Sequence, residues 1–202
     1  MFTQSQGYEV CTNKQKLVIF IAHNLKKLNP HKMKNTIKII LFVAIIASMT
    51  SCKVNKYSFL NNYPTKTVPL IDSTNFSNHV EGKLLTKSQQ ELLKLPSIFE
   101  EQLNNEKAKI GVSYLPKISE NFQSVVYYFY PNNTELISML VNYDDKFNII
   151  NSQVLAYDEI AEGMLKTTST LNKNSIELVE YISDTPSTII FNILEDGNIT
   201  RD

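Results

Sequence analysis

At 202 residues the chain has room for one domain with a targeting segment but not for two independent cores. A composition of 43% hydrophobic and 20% charged residues excludes a disordered tail, and the lack of any apolar run of about 20 residues excludes a polytopic membrane protein. Five glycines, two cysteines and no tryptophan give no material for a glycine-rich phosphate cradle, a disulfide scaffold or a four-cysteine metal site, so neither cofactor nor metal is expected. Nineteen of the 20 basic residues are lysine and Arg201 is the sole arginine, which nearly excludes bidentate clamps on phosphate and argues against nucleic acid as a partner.

The formal net charge of zero conceals a split. Residues 1–51 carry seven lysines and one acid, a net of +6, and the remaining 13 basic and 19 acidic side chains give −6. Within the basic part, Met33-Lys34-Asn35-Thr36-Ile37-Lys38 precedes nine apolar residues, Ile39 to Ala47, and then Ser48-Met49-Thr50-Ser51-Cys52. That order is n-region, h-region and small-residue cleavage site, a secretory leader over residues 33–51. Met49-Thr50-Ser51-Cys52 resembles the lipobox of bacterial lipoproteins. The resemblance implies cleavage before Cys52 and lipid attachment to its sulfur. Residues 1–32 then read as an over-extended start without structure, because Leu17 to Ala22 is too short to span a bilayer. Two or more acyl chains make release from a membrane negligible, so a lipid-anchored position in the cell envelope is expected. With Cys52 alkylated and Cys11 removed, no thiol remains for catalysis or metal binding.

Residues 52–80 are rich in Asn, Ser, Thr and Lys, contain Pro64 and Pro69 and show no period, which reads as a tether with a reach of about 30 Å. Within it, Asp72-Ser73-Thr74 resembles an O-glycosylation acceptor of some envelope bacteria, a tripeptide that a Ser/Thr-rich stretch also produces by chance. The domain proper is expected over residues 81–202. Thr86 with Gln89 predicts a capping box, and Leu92, Leu93 and Leu95 follow before Pro96 ends one helix and opens another. Ile98, Phe99, Gln102 and Leu103 then share a face.

From Ile110 the hydrophobic period changes to two. Strands are predicted around Ile110 to Tyr114, Ser124 to Tyr130, Glu135 to Tyr143, Phe147 to Tyr157, Met164 to Leu171, Ser175 to Ser183 and Ser187 to Leu194. Asp144-Asp145-Lys146 and Asp196-Gly197 read as hairpin turns between such runs. The fold class is α+β: an antiparallel β-meander of about six to seven strands with one or two N-terminal helices packed on one face. A closed lipocalin-like barrel carrying an apolar ligand is the architectural rival.

Catalytic candidates are few. Of three histidines only His79 lies beyond the leader, and no Gly-x-Ser-x-Gly elbow accompanies it. The densest acids are Asp158, Glu159 and Glu162, which an envelope hydrolase would use. On an extended strand Asp158 and Glu162 lie about 13 Å apart with Glu159 on the other face, too wide for an acid pair that needs about 5–10 Å. Tyr114, Tyr127, Tyr128, Tyr130, Tyr143, Tyr157 and Tyr181 concentrate in the strands. Tyr127 and Tyr128 must face opposite sides, so one of them is expected to be exposed or covered by the helices, and an exposed aromatic stripe would bind a glycan or an envelope protein.

The run Phe129-Tyr130-Pro131-Asn132, then Leu140-Val141-Asn142-Tyr143-Asp144, then Ala156-Tyr157-Asp158-Glu159-Ile160-Ala161-Glu162-Gly163, behind a lipoprotein leader, resembles small uncharacterised lipoproteins of the Bacteroidota type. The likeness covers about the last hundred residues and brings no activity with it. Surface-exported members often carry acids after the cysteine; Lys53-Val54-Asn55-Lys56 departs from that and implies a periplasm-facing place on the outer membrane. The expectation is therefore a membrane-anchored, non-enzymatic binding or assembly module.

Overall fold

The computed structural model describes residues 56–103, 105–160, 165–183 and 185–202. The leader and Cys52 lie outside them. After a 3-10 helix, Ser58–Asn62, the elements are β1 (Thr65–Thr67), β2 (Leu70–Asp72), α1 (Lys87–Leu92), α2 (Pro96–Leu103), β3 (Lys109–Lys117), β4 (Gln123–Tyr130), β5 (Glu135–Tyr143), β6 (Ile149–Glu159), β7 (Leu165–Leu171), β8 (Ser175–Ile182), β9 (Thr185–Ile193) and β10 (Ile199–Arg201).

The class is α+β, with a large, mostly antiparallel sheet and two short helices, but it is not a simple meander of six or seven strands. From β3 to β10 each strand pairs with the next, while β1 adds in parallel to β3 and β2 adds antiparallel to β7, which makes ten strands. The stretch read as a tether thus supplies two strands. Its three-residue elements are too short to show a period, and β1 is exposed throughout, so no alternation marks it.

β5 and β6 pair along nearly their whole length, but β6 meets β7 only at Tyr157–Thr167 and Asp158–Lys166. Beyond that corner β7 pairs with β2 instead. The sheet therefore bends over itself, and one core gathers Tyr114, Val126, Leu140 and Leu155 from β3–β6 with Leu171, Ile176 and Ile193 from β7–β9. Nothing joins β10 back to β1 along the strand path, so the sheet is open rather than a barrel. Side chains fill the interior that a lipocalin would keep for its ligand, so the domain is not the closed lipocalin-like barrel that an apolar-ligand carrier would need.

The opposite face of β3–β5 takes the helices. Leu93, Leu95 and Phe99 are fully buried there, and the Phe99 ring lies 4.6 Å from Phe129. The Tyr143 hydroxyl donates to the Leu93 carbonyl, so the end of α1 is tied to the sheet by a polar bond as well as by apolar contact. The capping box forms as the sequence predicts: Gln89 N–H donates to Thr86 Oγ1 and Thr86 N–H to Gln89 Oε1. Replacing Thr86 with alanine leaves the first turn without that acceptor and is expected to cost about 1 kcal/mol, read as a lower urea midpoint with an unchanged slope.

Both turns expected from Asp144 and Asp196 form. Asp144 Oδ1 accepts from Lys146 N–H and Asn148 N–H, and Oδ2 from the Asn148 amide, whose own oxygen accepts from the Lys94 ammonium. Asp196 is bonded likewise by Asn198, with Gly197 at φ +89° supplying the left-handed step. Hydrogen bonds from the Asn148 amide and from Asn198 N–H, respectively, are the main causes that hold these two carboxyl groups below the ordinary value of 3.8. A lowered folded-state pKa gives stability that is complete above 3.8 and is lost as pH falls through the lower folded values. The Asp144→Asn, Asp196→Asn double variant is accordingly expected to show a flatter urea midpoint below about pH 4 than the parent.

Candidate functional site

Residues 72–82 cross the face of the sheet opposite the helices as a strap, and one buried carboxylate begins it. Asp72 is 3% exposed and has no ion-pair partner among the described residues. Its Oδ1 accepts from the Thr74 N–H (3.1 Å) and hydroxyl (2.7 Å), and its Oδ2 from the hydroxyls of Tyr114 on β3 (2.8 Å) and Ser138 on β5 (2.7 Å). Four donors on two oxygens replace the water that burial removed. Burial first, and the Asp72 charge second, drive the Tyr114 hydroxyl far above its usual pKa, so it stays a donor. The same bonds occupy two members of the Asp72-Ser73-Thr74 tripeptide, since Thr74 and Asp72 are bonded to each other and Asp72 is sequestered.

Asn75 and Asn78 shape the next turn: both side-chain amides donate to the Ser73 carbonyl, and Asn75 Oδ1 accepts from Ser77 N–H. Phe76 N–H then donates to Asp158 Oδ2 at 2.9 Å. The His79 ring sits 4.7 Å from Tyr128 and 5.8 Å from Tyr130, and the Tyr128 hydroxyl donates to the Gly82 carbonyl. Tyr128 lies directly over Gly111, where a Cβ would come within 2.3 Å of its ring. Just past the strap, Leu85 N–H donates to the Ile110 carbonyl and ties the chain back to β3.

Between the strap and the β3–β4 end of the sheet is an open groove of about 200 Å³. Phe76 and Glu81 form its strap wall, Lys107 and Lys109 lead into and open β3, Tyr130 ends β4, and Asn132 and Asn133 lie on the turn after it. The Phe76 and Tyr130 rings are 5.9 Å apart and tilted by 48°. Glu81 pairs with Lys109 at 3.4 Å. The rim is braced: Asn105 Nδ2 donates to the Pro131 carbonyl, Asn132 Nδ2 to Glu135, and Asn132 Oδ1 accepts from Thr134 N–H and hydroxyl. Burial, then the Glu81 charge, raise the Tyr130 pKa, so its hydroxyl is neutral at physiological pH.

The residues singled out from sequence do not converge. Asp158 holds the strap, while Glu159 lies on the other face of β6 and accepts from the Tyr157 hydroxyl at 3.1 Å. Glu162 lies outside the described residues. His79 Nε2 is buried without a hydrogen-bond partner, and burial lowers the ring's pKa against the opposing pull of Glu81 and Asp72, so the ring packs as a neutral aromatic spacer. No serine is bonded to it.

The expected aromatic stripe is absent as an exposed feature. Tyr114, Tyr127, Tyr128 and Tyr143 are buried, with Tyr127 bonded to Tyr143 under the helices and Tyr128 covered by the strap. Of the seven strand tyrosines, Tyr130 and Tyr157 are half-buried and Tyr181 is exposed. Both sheet faces have covers, which is why consecutive tyrosines could both be enclosed.

Among the described residues no three His, Cys, Asp or Glu side chains gather as a metal would require, and no helix is long and apolar enough to cross a membrane. Comparison with protein-family models, with curated proteins and with solved structures found no match to the chain.

Proposed function

We propose that this chain is a cell-envelope lipoprotein of the Bacteroidota type, acylated at Cys52 and facing the periplasm, whose domain is a non-enzymatic binding module. The leader pattern supports the anchor. The groove supports binding: it brings two half-buried rings, an ion pair, a second ammonium and side-chain amides to one braced concavity. The acids that a hydrolase would use support the same reading, because Asp158 and Glu159 lie on opposite faces and serve structural hydrogen bonds.

Structure that begins at Ser58 shortens the link to the anchor. With the 3-10 helix starting at Ser58, six residue steps separate it from Cys52, a span of at most about 22 Å rather than the reach of about 30 Å expected of a tether over residues 52–80. The domain would work close to the bilayer. Mass spectrometry of the protein isolated from its native envelope tests the anchor: the expected N-terminal peptide begins at an acylated Cys52, and an unmodified thiol with the leader attached would refute it.

A further inference from the structure

We propose that the groove binds an acidic saccharide, one sugar acid unit of a longer chain seated on Phe76 and Tyr130 with its carboxylate at Lys107. The inference rests on the binding-module reading and adds the ligand class. Size comes first. At about 200 Å³ the groove is smaller than the roughly 300–1,000 Å³ of sites that enclose a whole small molecule, and it is open, so it suits one ring of an extended ligand. Phe76 and Tyr130 offer two tilted, half-buried ring surfaces on which the C–H face of a pyranose can pack.

Charge gives the sign. Lys109 is already paired with Glu81, so that pair adds no net charge, whereas the Lys107 ammonium has no ion-pair partner among the described residues. A ligand carboxylate beside Lys107 completes the site, and Glu81 repels one placed at the strap wall. Asn133 is exposed and its amide has both a donor and an acceptor to offer, which matches adjacent hydroxyl groups. An extended acidic peptide fits less well, because the β3 edge beside the groove, where a peptide strand would add, is taken by the bridge between Leu84 and Gly111 and by the Leu85 bond to Ile110.

The test is an NMR titration of residues 52–202 made with Cys52→Ser, using a galacturonate tetramer and, in parallel, a neutral glucose tetramer of the same length. Shifts are expected at Phe76, Lys107, Tyr130 and Asn133, with the acidic chain binding at least about tenfold more tightly. Lys107→Gln, at a solvent-exposed side chain, is expected to abolish the preference while leaving weak binding of both sugars, and Asn133→Ala to weaken both. Equal binding of the two tetramers, or shifts located away from the groove, would overturn the inference. A photo-crosslinker placed at Asn133 separates the two levels: capture of an envelope protein, with neither sugar binding, removes the saccharide and keeps the binding module, while no capture and no sugar binding removes both.

Discussion

Replacing Asp72 with alanine is expected to destabilise the domain by about 4 kcal/mol, from lost hydrogen bonds to a charged group and from buried hydroxyls left without an acceptor. The two hydroxyls come from β3 and β5, and Asp72 itself is the last residue of β2, so one side chain fastens three strands that are distant in sequence. Against a total stability of about 5–15 kcal/mol, that loss removes between about a quarter and four-fifths of the whole. Asp72→Asn is expected to cost much less, about 1–2 kcal/mol, because its oxygen can still accept from Thr74 while Tyr114 and Ser138 turn their lone pairs toward the new amide. Urea unfolding of both variants checks the order. Equal and small effects for the two would show that water reaches the carboxylate and that the strap is loosely held.

Gly111→Ala is expected to be nearly as damaging, by about 2–3 kcal/mol. The added methyl would come 2.3 Å from the Tyr128 ring, whose hydroxyl holds the Gly82 carbonyl and whose face supports His79. Glycine is required there for close approach rather than for backbone freedom, since an aromatic ring from the neighbouring strand covers the place a side chain would take. The ring must turn outward, carrying the strap with it and opening the wall of the groove that Phe76 and Glu81 form. Adding Tyr128→Leu to Gly111→Ala relieves the clash, so the double variant is expected to recover part of the stability lost, although not the bond to Gly82. Circular dichroism melts and groove titration of the same proteins check both effects. A Gly111→Ala protein with parental stability would contradict the packing described.

The long strands were legible because runs of seven or more β-prone residues stand between turn residues, and in β3, β4 and β5 most of those residues are also buried. β5 spans Glu135–Tyr143, the bounds read from its alternation, and the Thr86–Gln89 pair marked the start of α1. The three-residue strands were not, since a period of two needs more than three residues to declare itself. Asp72 looked like one polar residue among many because its partners lie 42 and 66 residues away. The number of covers decides the tyrosines: residues 72–80, most of the strap, were read as tether, which left one sheet face with nothing to enclose Tyr128. The groove was hidden for the same reason, because Phe76 and Glu81 belong to that strap while Lys107, Lys109, Tyr130 and Asn133 come from separate places along the chain. A sequence signal did exist in the strap. Asn75-Phe76-Ser77-Asn78 carries two asparagines at a spacing that closes side-chain turns, with an aromatic residue between them.

Native-state amide hydrogen exchange tests most directly whether residues 72–82 belong to the folded domain. Phe76 N–H, bonded to Asp158, and Leu85 N–H, bonded to Ile110, should open with the same free energy as amides in the middle of β4 and β5. Exchange of Phe76 at the rate of an open loop, with β4 and β5 still protected, would contradict the strap and with it the groove.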